Sequence, residues 1–282
     1  MRTLKHLLGR SLYAIRLDAL LMRNEAVVVA FHRVRDDASE SDALTVDTRT
    51  FESYCRFFAR FFNVMSLPAL ISMLESGRQP NRALAITFDD GYRDNFTNAA
   101  PVLEKLSLPA TFFVVSRWIG TSIVPFWDRA RGVEYPWMNW DEVKALQKRG
   151  FEIGAHTRTH VDLGSVAGRD ARLEIAGARE DLESALGARV ESFAYPFGTP
   201  NHLTEANRAY VKSAGFRCCC SAFGGTISRA TDPFHIPRVP ISTWHPYPYQ
   251  FGFDVSLGRS VDPPSSKESD ISCCATSEAT GF

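Results

Sequence analysis

Apolar and polar positions follow two rhythms along this chain, and the switches between them outline a fold. Short, almost wholly apolar runs occupy residues 26–32, 84–88, 110–115, 151–155 and 192–195, with another from 216 onward. Runs this short, with no polar alternation, are expected as strands covered on both faces, as in a parallel sheet. Longer stretches with helical spacing lie between them. Phe51, Tyr54, Phe57, Phe58 and Phe61 make one stripe, and residues 95–106 and 203–214 read as further helices. Trp140 to Arg149 reads as a helix stopped by Gly150. Residues 168–186 read as a long charged helix carrying Leu173, Ile175, Ala176, Leu182 and Leu186. Residues 36–50 and 117–139 read as irregular. Alternating strand and helix predicts an α/β fold, with helices outside a parallel sheet that is either open or closed into a barrel. Both architectures place the site at the carboxyl ends of the strands. His32, Asp89, Asp90, His156 and Pro196 all stand just after a strand-like run.

The two ends depart from this rhythm. In residues 1–25, Leu4, Leu8, Leu12, Ile15, Ala19 and Met22 recur at helical spacing, while Arg2, Lys5, Arg10, Arg16 and Arg23 outweigh Asp18. This predicts a basic amphipathic helix. Arg10, Arg16 and Asp18 interrupt any apolar core, so a cleavable signal peptide is not expected. No apolar run approaches the roughly 18 residues of a transmembrane helix. Two uses stay open: peripheral contact of residues 1–23 with an anionic membrane surface, or packing on the domain or a partner. A cytoplasmic location, or a peripheral one on the inner membrane, is the expectation. Residues 256–282 are rich in Ser and small side chains without periodicity, and are expected to form an unstructured tail. Residues 26–255 remain as the domain that carries the chemistry.

Composition narrows the classes. The 282 residues hold 32 Lys plus Arg against 32 Asp plus Glu, so the formal net charge is zero. A nucleic-acid-coating domain would carry a basic excess, and no nucleic-acid partner is expected. At 45% hydrophobic residues the chain has enough apolar side chain to offset the entropy of ordering. Five of the six cysteines lie in adjacent runs, and no C-x-x-C pair occurs. That layout suits neither a disulfide framework nor a thiolate zinc site. Cys218, Cys219 and Cys220 fall on a presumed strand and are expected to be buried and inert.

Two clusters carry chemistry. Asp89-Asp90-Gly91 sets two carboxylates at a strand end, where the turn allowed by Gly91 can bring both into one cavity. One can hold a cation while the other accepts a proton. His156-Thr157-Arg158-Thr159-His160 spaces two imidazoles four residues apart, a spacing that lets both meet one metal. Two histidines and a carboxylate leave coordination positions open, and a bound cation lowers the pKa of a water there. The aromatic segment with Trp118, Phe126, Trp127, Tyr135, Trp137 and Trp140 either faces sugar rings or packs, and Tyr247 and Tyr249 leave the same choice.

Thr87-Phe88-Asp89-Asp90-Gly91 and the His156 to His160 segment resemble the first two signature motifs of polysaccharide deacetylases, the NodB-homology domains of carbohydrate esterase family four. Phe193-Ala194-Tyr195-Pro196-Phe197-Gly198 is similar to the third, and Phe31-His32-Arg33-Val34 to the opening of the branch acting on N-acetylglucosamine-rich extracellular polysaccharides. The resemblance runs from about Val27 to about Pro240. It implies a distorted (β/α) barrel and a divalent metal, commonly zinc. It implies removal of N-acetyl groups from amino sugars of a polysaccharide or lipid-linked saccharide, with release of acetate. By position it implies Asp90, His156 and His160 as metal ligands, Asp89 as base, and a backbone N–H near Phe197 as oxyanion donor. A protonated histidine would serve the leaving amine. Two departures stand out. Ala194 occupies the place of the third motif's Arg, for which Arg238 is the candidate substitute. The late Leu-x-His motif is absent, leaving His32 and His235 as candidate acids, with His32 preferred because it ends a buried strand. The missing Arg favours a second reading, a carbohydrate-binding protein on the same fold that has lost turnover.

Overall fold

A computed structural model of the chain describes residues 2–37, 42–166 and 168–258. Its main sheet has eight strands with every pairing parallel. Seven run in the spatial order Val239–Pro240, Ala26–Phe31, Ala83–Phe88, Thr111–Val114, Glu152–Ala155, Ser192–Ala194 and Cys218–Cys220. The eighth, Asn63–Val64, pairs with the start of Ala83–Phe88, whose end pairs with Thr111–Val114. Segment 236–240 spans the two ends of this row. Ile236 bridges to Cys220, and Val239 and Pro240 pair with Val29 and Ala30. The row thus curls into a distorted barrel, and every apolar run named as a strand in the sequence is one.

Strand alternation sorts side chains into two cores by size. Ala26, Val28, Ala83, Ala85, Phe113, Ala194, Cys218 and Cys220 form one cluster, capped by Leu67, Leu70, Ile71 and Leu74 of helix Leu67–Glu75. Val27, Val29, Phe31, Leu84, Ile86, Phe88 and Phe112 face the other way into a larger cluster under the outer helices. The barrel interior therefore has small residues, with Phe113 as its one large ring. Gly154 makes that possible, since a Cβ there would run into the Phe113 ring. The three cysteines are buried, and burial raises the Cys219 thiol above its ordinary range, which leaves it inert as expected.

The helices read from spacing are present as Thr48–Phe61, Trp140–Lys148, Gly168–Leu186 and Glu205–Ser213. The stretch 95–106 is a π-turn, Asn95–Ala99, followed by helix Ala100–Lys105. Helices Leu67–Glu75 and Pro248–Ser256 went unread in the sequence. The second ends at the boundary drawn for the tail. Residues 259–282, where most of that tail falls, lie outside the described residues.

The N-terminal segment is helical in two pieces rather than one. The chain forms Arg2–Ala14, breaks at Arg16 in the left-handed region (φ 59°), and resumes as Leu17–Leu21. Its apolar positions are not one buried stripe: Gly9, Leu12 and Tyr13 are buried, while Leu4, Leu8 and Ile15 are exposed. The buried face packs on helix Pro248–Ser256, where the Tyr13 hydroxyl meets Ser256 Oγ at 3.2 Å. Among the described residues no helix is long and apolar enough to cross a membrane.

Candidate active site

The inward register of each strand continues one step past its carboxyl end. His32 follows Ala30, Asp89 follows Thr87, and His156 follows Gly154, so all three enter the same mouth. Asp90 would face outward by strand parity. It instead adopts φ 72°, a left-handed turn that swings its carboxylate in beside the histidines. His160 (φ 59°), Thr157 (φ 61°) and Phe197 (φ 60°) share that conformation, so four of the seven non-glycine positive-φ residues among those described gather here. Each such residue costs roughly 1–3 kcal/mol, and such costs cluster at functional sites.

Asp90, His156 and His160 bring one ligand atom each to within 4.8 Å of one another. The His156 Nδ1–H donates to the Ala194 carbonyl at 2.8 Å, which fixes the tautomer and leaves Nε2 with its lone pair. His156 Nε2 and His160 Nε2 point at Asp90 Oδ1 from 3.4 and 3.2 Å, yet that oxygen, buried, makes no hydrogen bond among the described residues. Burial would raise the Asp90 carboxyl, but the two imidazoles facing it hold it well below the usual range. Burial lowers His160, keeping its ring neutral. A convergent, desolvated carboxylate and two imidazoles with an orphaned oxygen between them fit a divalent cation in chemistry and in geometry.

Asp89, one residue away, has a different setting. Arg238 donates to both its carboxylate oxygens at 2.7 Å, and also to Thr87 Oγ1 and the Ser221 carbonyl. The Arg missing from position 194 is thus supplied in space by Arg238, fully buried over the Phe113 ring. Burial pushes Asp89 up, but the guanidinium outweighs it and holds the carboxyl below its ordinary value. His32 Nε2 lies 4.0 Å from Asp89 Oδ2, and burial lowers its pKa against the pull of Asp90 and Asp89. His235 lies tilted against Phe223, 5.6 Å between ring centres, and is flanked by Arg208 and Asp232 rather than by Asp89 or Asp90. Of the two candidate acids, His32 is the one brought to Asp89. The amide N–H of Phe197 makes no hydrogen bond among the described residues, and the ring lies 4.9 Å from that of His160.

Several groups around the site were not found in the sequence. Glu174, on helix Gly168–Leu186, accepts from the backbone N–H groups of Arg158 and Thr159 at 3.0 and 2.9 Å. Asp181 on the same helix accepts from Ser116, Arg117 and Arg158. Together they clamp the loop that carries both histidines. Their spacing of seven places them on one helical face, but nothing local says what that face meets. Of the two uses the sequence left open for the aromatic segment, packing is the one the contacts display. Trp118 and Trp137 are buried packing partners, while Trp118 stacks on His160 at 5.2 Å and Trp127 approaches it at 4.9 Å.

A parallel barrel whose mouth holds an Asp-His-His triad beside an Arg-locked carboxylate defines a class of hydrolytic centre rather than a particular enzyme. The family model for polysaccharide deacetylase matches residues 76–219, just over half the chain, and the chain belongs to that family. It is 23% identical over 217 residues to the putative polysaccharide deacetylase YxkH of Bacillus subtilis, covering 76% of this chain and 71% of that one. It is 24% identical over 248 residues to a poly-beta-1,6-N-acetyl-D-glucosamine N-deacetylase of Staphylococcus aureus, covering 78% and 79%. The solved structure of IcaB from Ammonifex degensii superposes with a TM-score of 0.69 at 20% identity, covering 82% of this chain and 97% of that one, and shows the shared fold.

Proposed function

We propose that the protein is a divalent-metal-dependent hydrolase that removes N-acetyl groups from an N-acetylglucosamine-type polysaccharide and releases acetate. The observation that carries this is the division of labour between adjacent carboxylates. Asp90 faces two imidazoles, and Asp89 is held by an arginine opposite a histidine. A sugar-binding site has no need of that arrangement, so the geometry disfavours the turnover-lost reading. The named activities of the Staphylococcus aureus and Escherichia coli relatives support the glycan class, although the match covers only 21% of the latter's length.

A cation held by Asp90, His156 and His160, zinc being the first expectation, would supply Lewis acidity at the acetamide and an acidified water. The remaining steps fall to the chain's own side chains. Asp89, kept ionised and aimed by Arg238, takes a proton from the attacking water. The free Phe197 N–H donates to the oxygen on which negative charge develops at the acetamide carbon. His32, 4.0 Å from Asp89 and kept neutral by burial, receives the proton that Asp89 has taken and passes it to the departing amine. Trp127 and Phe197 flank the mouth and can present faces to a sugar ring.

The test is acetate release from N-acetylglucosamine oligomers by the purified protein with zinc, with chelator, and as His156→Ala. Both treatments should reduce release to background, and the variant should lose its metal equivalent. Release that survives both would sink the metal assignment. Metal binding without release on any acetylated oligomer would move the weight to a binding protein.

A further inference from the structure

The first helix uses its smallest side chain for docking and leaves its leucines outside. Gly9 lets the helix close onto the Tyr249 backbone, where any Cβ would collide with the Tyr249 carbonyl. Lys5 pairs with Asp254 at 2.8 Å, and Tyr13 is buried against Gly252 and Ser256. The helix is therefore held in one orientation. In that orientation Leu4, Leu7, Leu8 and Ile15 are 61%, 54%, 45% and 72% exposed, and Leu17, Leu20 and Leu21 follow on the next short helix. These seven make up more than half of the thirteen large apolar side chains exposed among the described residues. Such a concentration on a monomer's surface marks a contact region.

Its charge says what kind. Arg2, Arg10, Arg16 and Arg23 are exposed along the same segment. Its one carboxylate, Asp18, is buried with Arg16 and Arg82 at 3.9 and 3.8 Å. Beside the helix, Arg49, Arg56 and Arg60 line a cavity of about 440 Å³ with His6, Tyr247 and Tyr249. A chain of zero net charge thus gathers cations around its most apolar surface. A second copy docked symmetrically here would set these arginines against their counterparts. Anionic lipid headgroups would neutralise them while the leucines enter the acyl boundary.

We infer that residues 2–21, with the arginine face of helix Thr48–Phe61, form a docking surface for a membrane leaflet rich in anionic lipid. The inference does not depend on the deacetylase reading. The experiment is co-sedimentation of the full chain with phosphatidylcholine vesicles, with and without phosphatidylglycerol, at low and high salt. The wild type should bind only the phosphatidylglycerol vesicles and release at high salt. A Leu4→Asn, Leu8→Asn, Ile15→Asn triple variant should bind at least about tenfold more weakly, because apolar insertion and charge attraction act together. Arg2→Gln with Arg10→Gln should also weaken binding and flatten its salt dependence. All five positions are exposed, and unchanged circular dichroism would confirm folding. Leu7→Asn alone serves if the triple variant aggregates, and should weaken binding in the same direction. No binding, equal binding to vesicles without phosphatidylglycerol, or full binding by a folded leucine variant overturns the proposal. So does a wild-type dimer that the leucine variant abolishes without any vesicle binding, which would assign the face to a second copy.

Discussion

Arg238 and Arg33 are both fully buried arginines that hold carboxylates, and they differ in what each leaves unsatisfied. Arg33 sits in a closed network. Its Nε donates to Thr45, Nη1 to Asp128 and Nη2 to both oxygens of Asp42, while the rings of Tyr92 and Tyr135 lie within 5.0 and 4.6 Å of the guanidinium. Asp128 also accepts from Tyr92, whose hydroxyl accepts from Trp127. Arg238 and Asp89 are equally well paired, but the residues around them are not: among the described residues Asp90 Oδ1 and His160 Nδ1 are buried without a hydrogen-bond partner, and His32 stands 4.0 Å away. A buried polar network is stable when every member is satisfied, and leaving members open is costly. The closed network reads as structure, and the open one as a place kept for a cation and a substrate.

Breaking the open network should cost rate. Asp89→Asn is expected to retain its bound metal and lose about a thousandfold in kcat, within the range for removing a general base. Acetate release with metal analysis checks this, and full activity would remove Asp89 from the base role. Breaking the closed network should cost stability. Arg33→Met leaves buried Asp128 with no cation and Asp42 with Arg131 alone, and should lower the unfolding free energy by about 3–5 kcal/mol. Folded molecules should keep kcat within a few fold. Urea unfolding paired with kinetics separates the two effects. If Arg33→Met lost rate on the scale of Asp89→Asn at unchanged stability, the contrast between the regions would fail.

The same contrast explains what could be read from the sequence. Strands were legible because a run apolar on both faces has few other places to go, and strand ends followed from where those runs met Asp89, His156 or His32. The Asp-His-His cluster was legible because two of its members lie within five residues and the third opens a glycine turn. The Arg238 contact spans 149 positions, and only the hole left by Ala194 hinted at it. Glu174, Asp181 and Asp128 gave no local sign, because a carboxylate on a helix or loop looks the same whether it clamps a catalytic loop or meets water. At the N-terminus the helix was legible, but the face by which it docks was not. Hydrophobic spacing identifies the apolar face, but close approach at Gly9 decided which face the protein buried.

Arg238→Lys sharpens the comparison at smaller amplitude. Lysine keeps the charge but cannot make the paired bonds of a guanidinium. A loss of about tenfold in kcat is expected, of the order of 1.4 kcal/mol, with KM little changed. Because Arg238 holds the Asp89 carboxyl low, weaker pairing should raise it. The acid limb of the rate profile should then move to higher pH. A variant with the same profile and a lower plateau would show that Arg238 supports the fold without tuning the base.

Asp94 lies between the two regions and belongs to neither. Its Oδ1 accepts from the N–H of Val34 at 2.9 Å and from Asn95 Nδ2 at 3.0 Å, while its buried Oδ2 makes no hydrogen bond among the described residues and sees Arg35 Nη1 only at 3.9 Å. Burial outweighs these partners and pushes the carboxyl up from 3.8 to about 7. The sign follows from linkage. Between those values the unfolded chain has released the proton and the folded chain has kept it, so stability falls as pH rises through this window and levels above it. Asn at this position keeps an acceptor for both donors and cannot ionise. Asp94→Asn should therefore be more stable than the wild type by about 3–4 kcal/mol at pH 8 and little more stable near pH 4. Urea unfolding of both proteins across that range gives the answer. Parallel curves would mean that Asp94 is ionised in the folded protein and that Arg35 satisfies it after all.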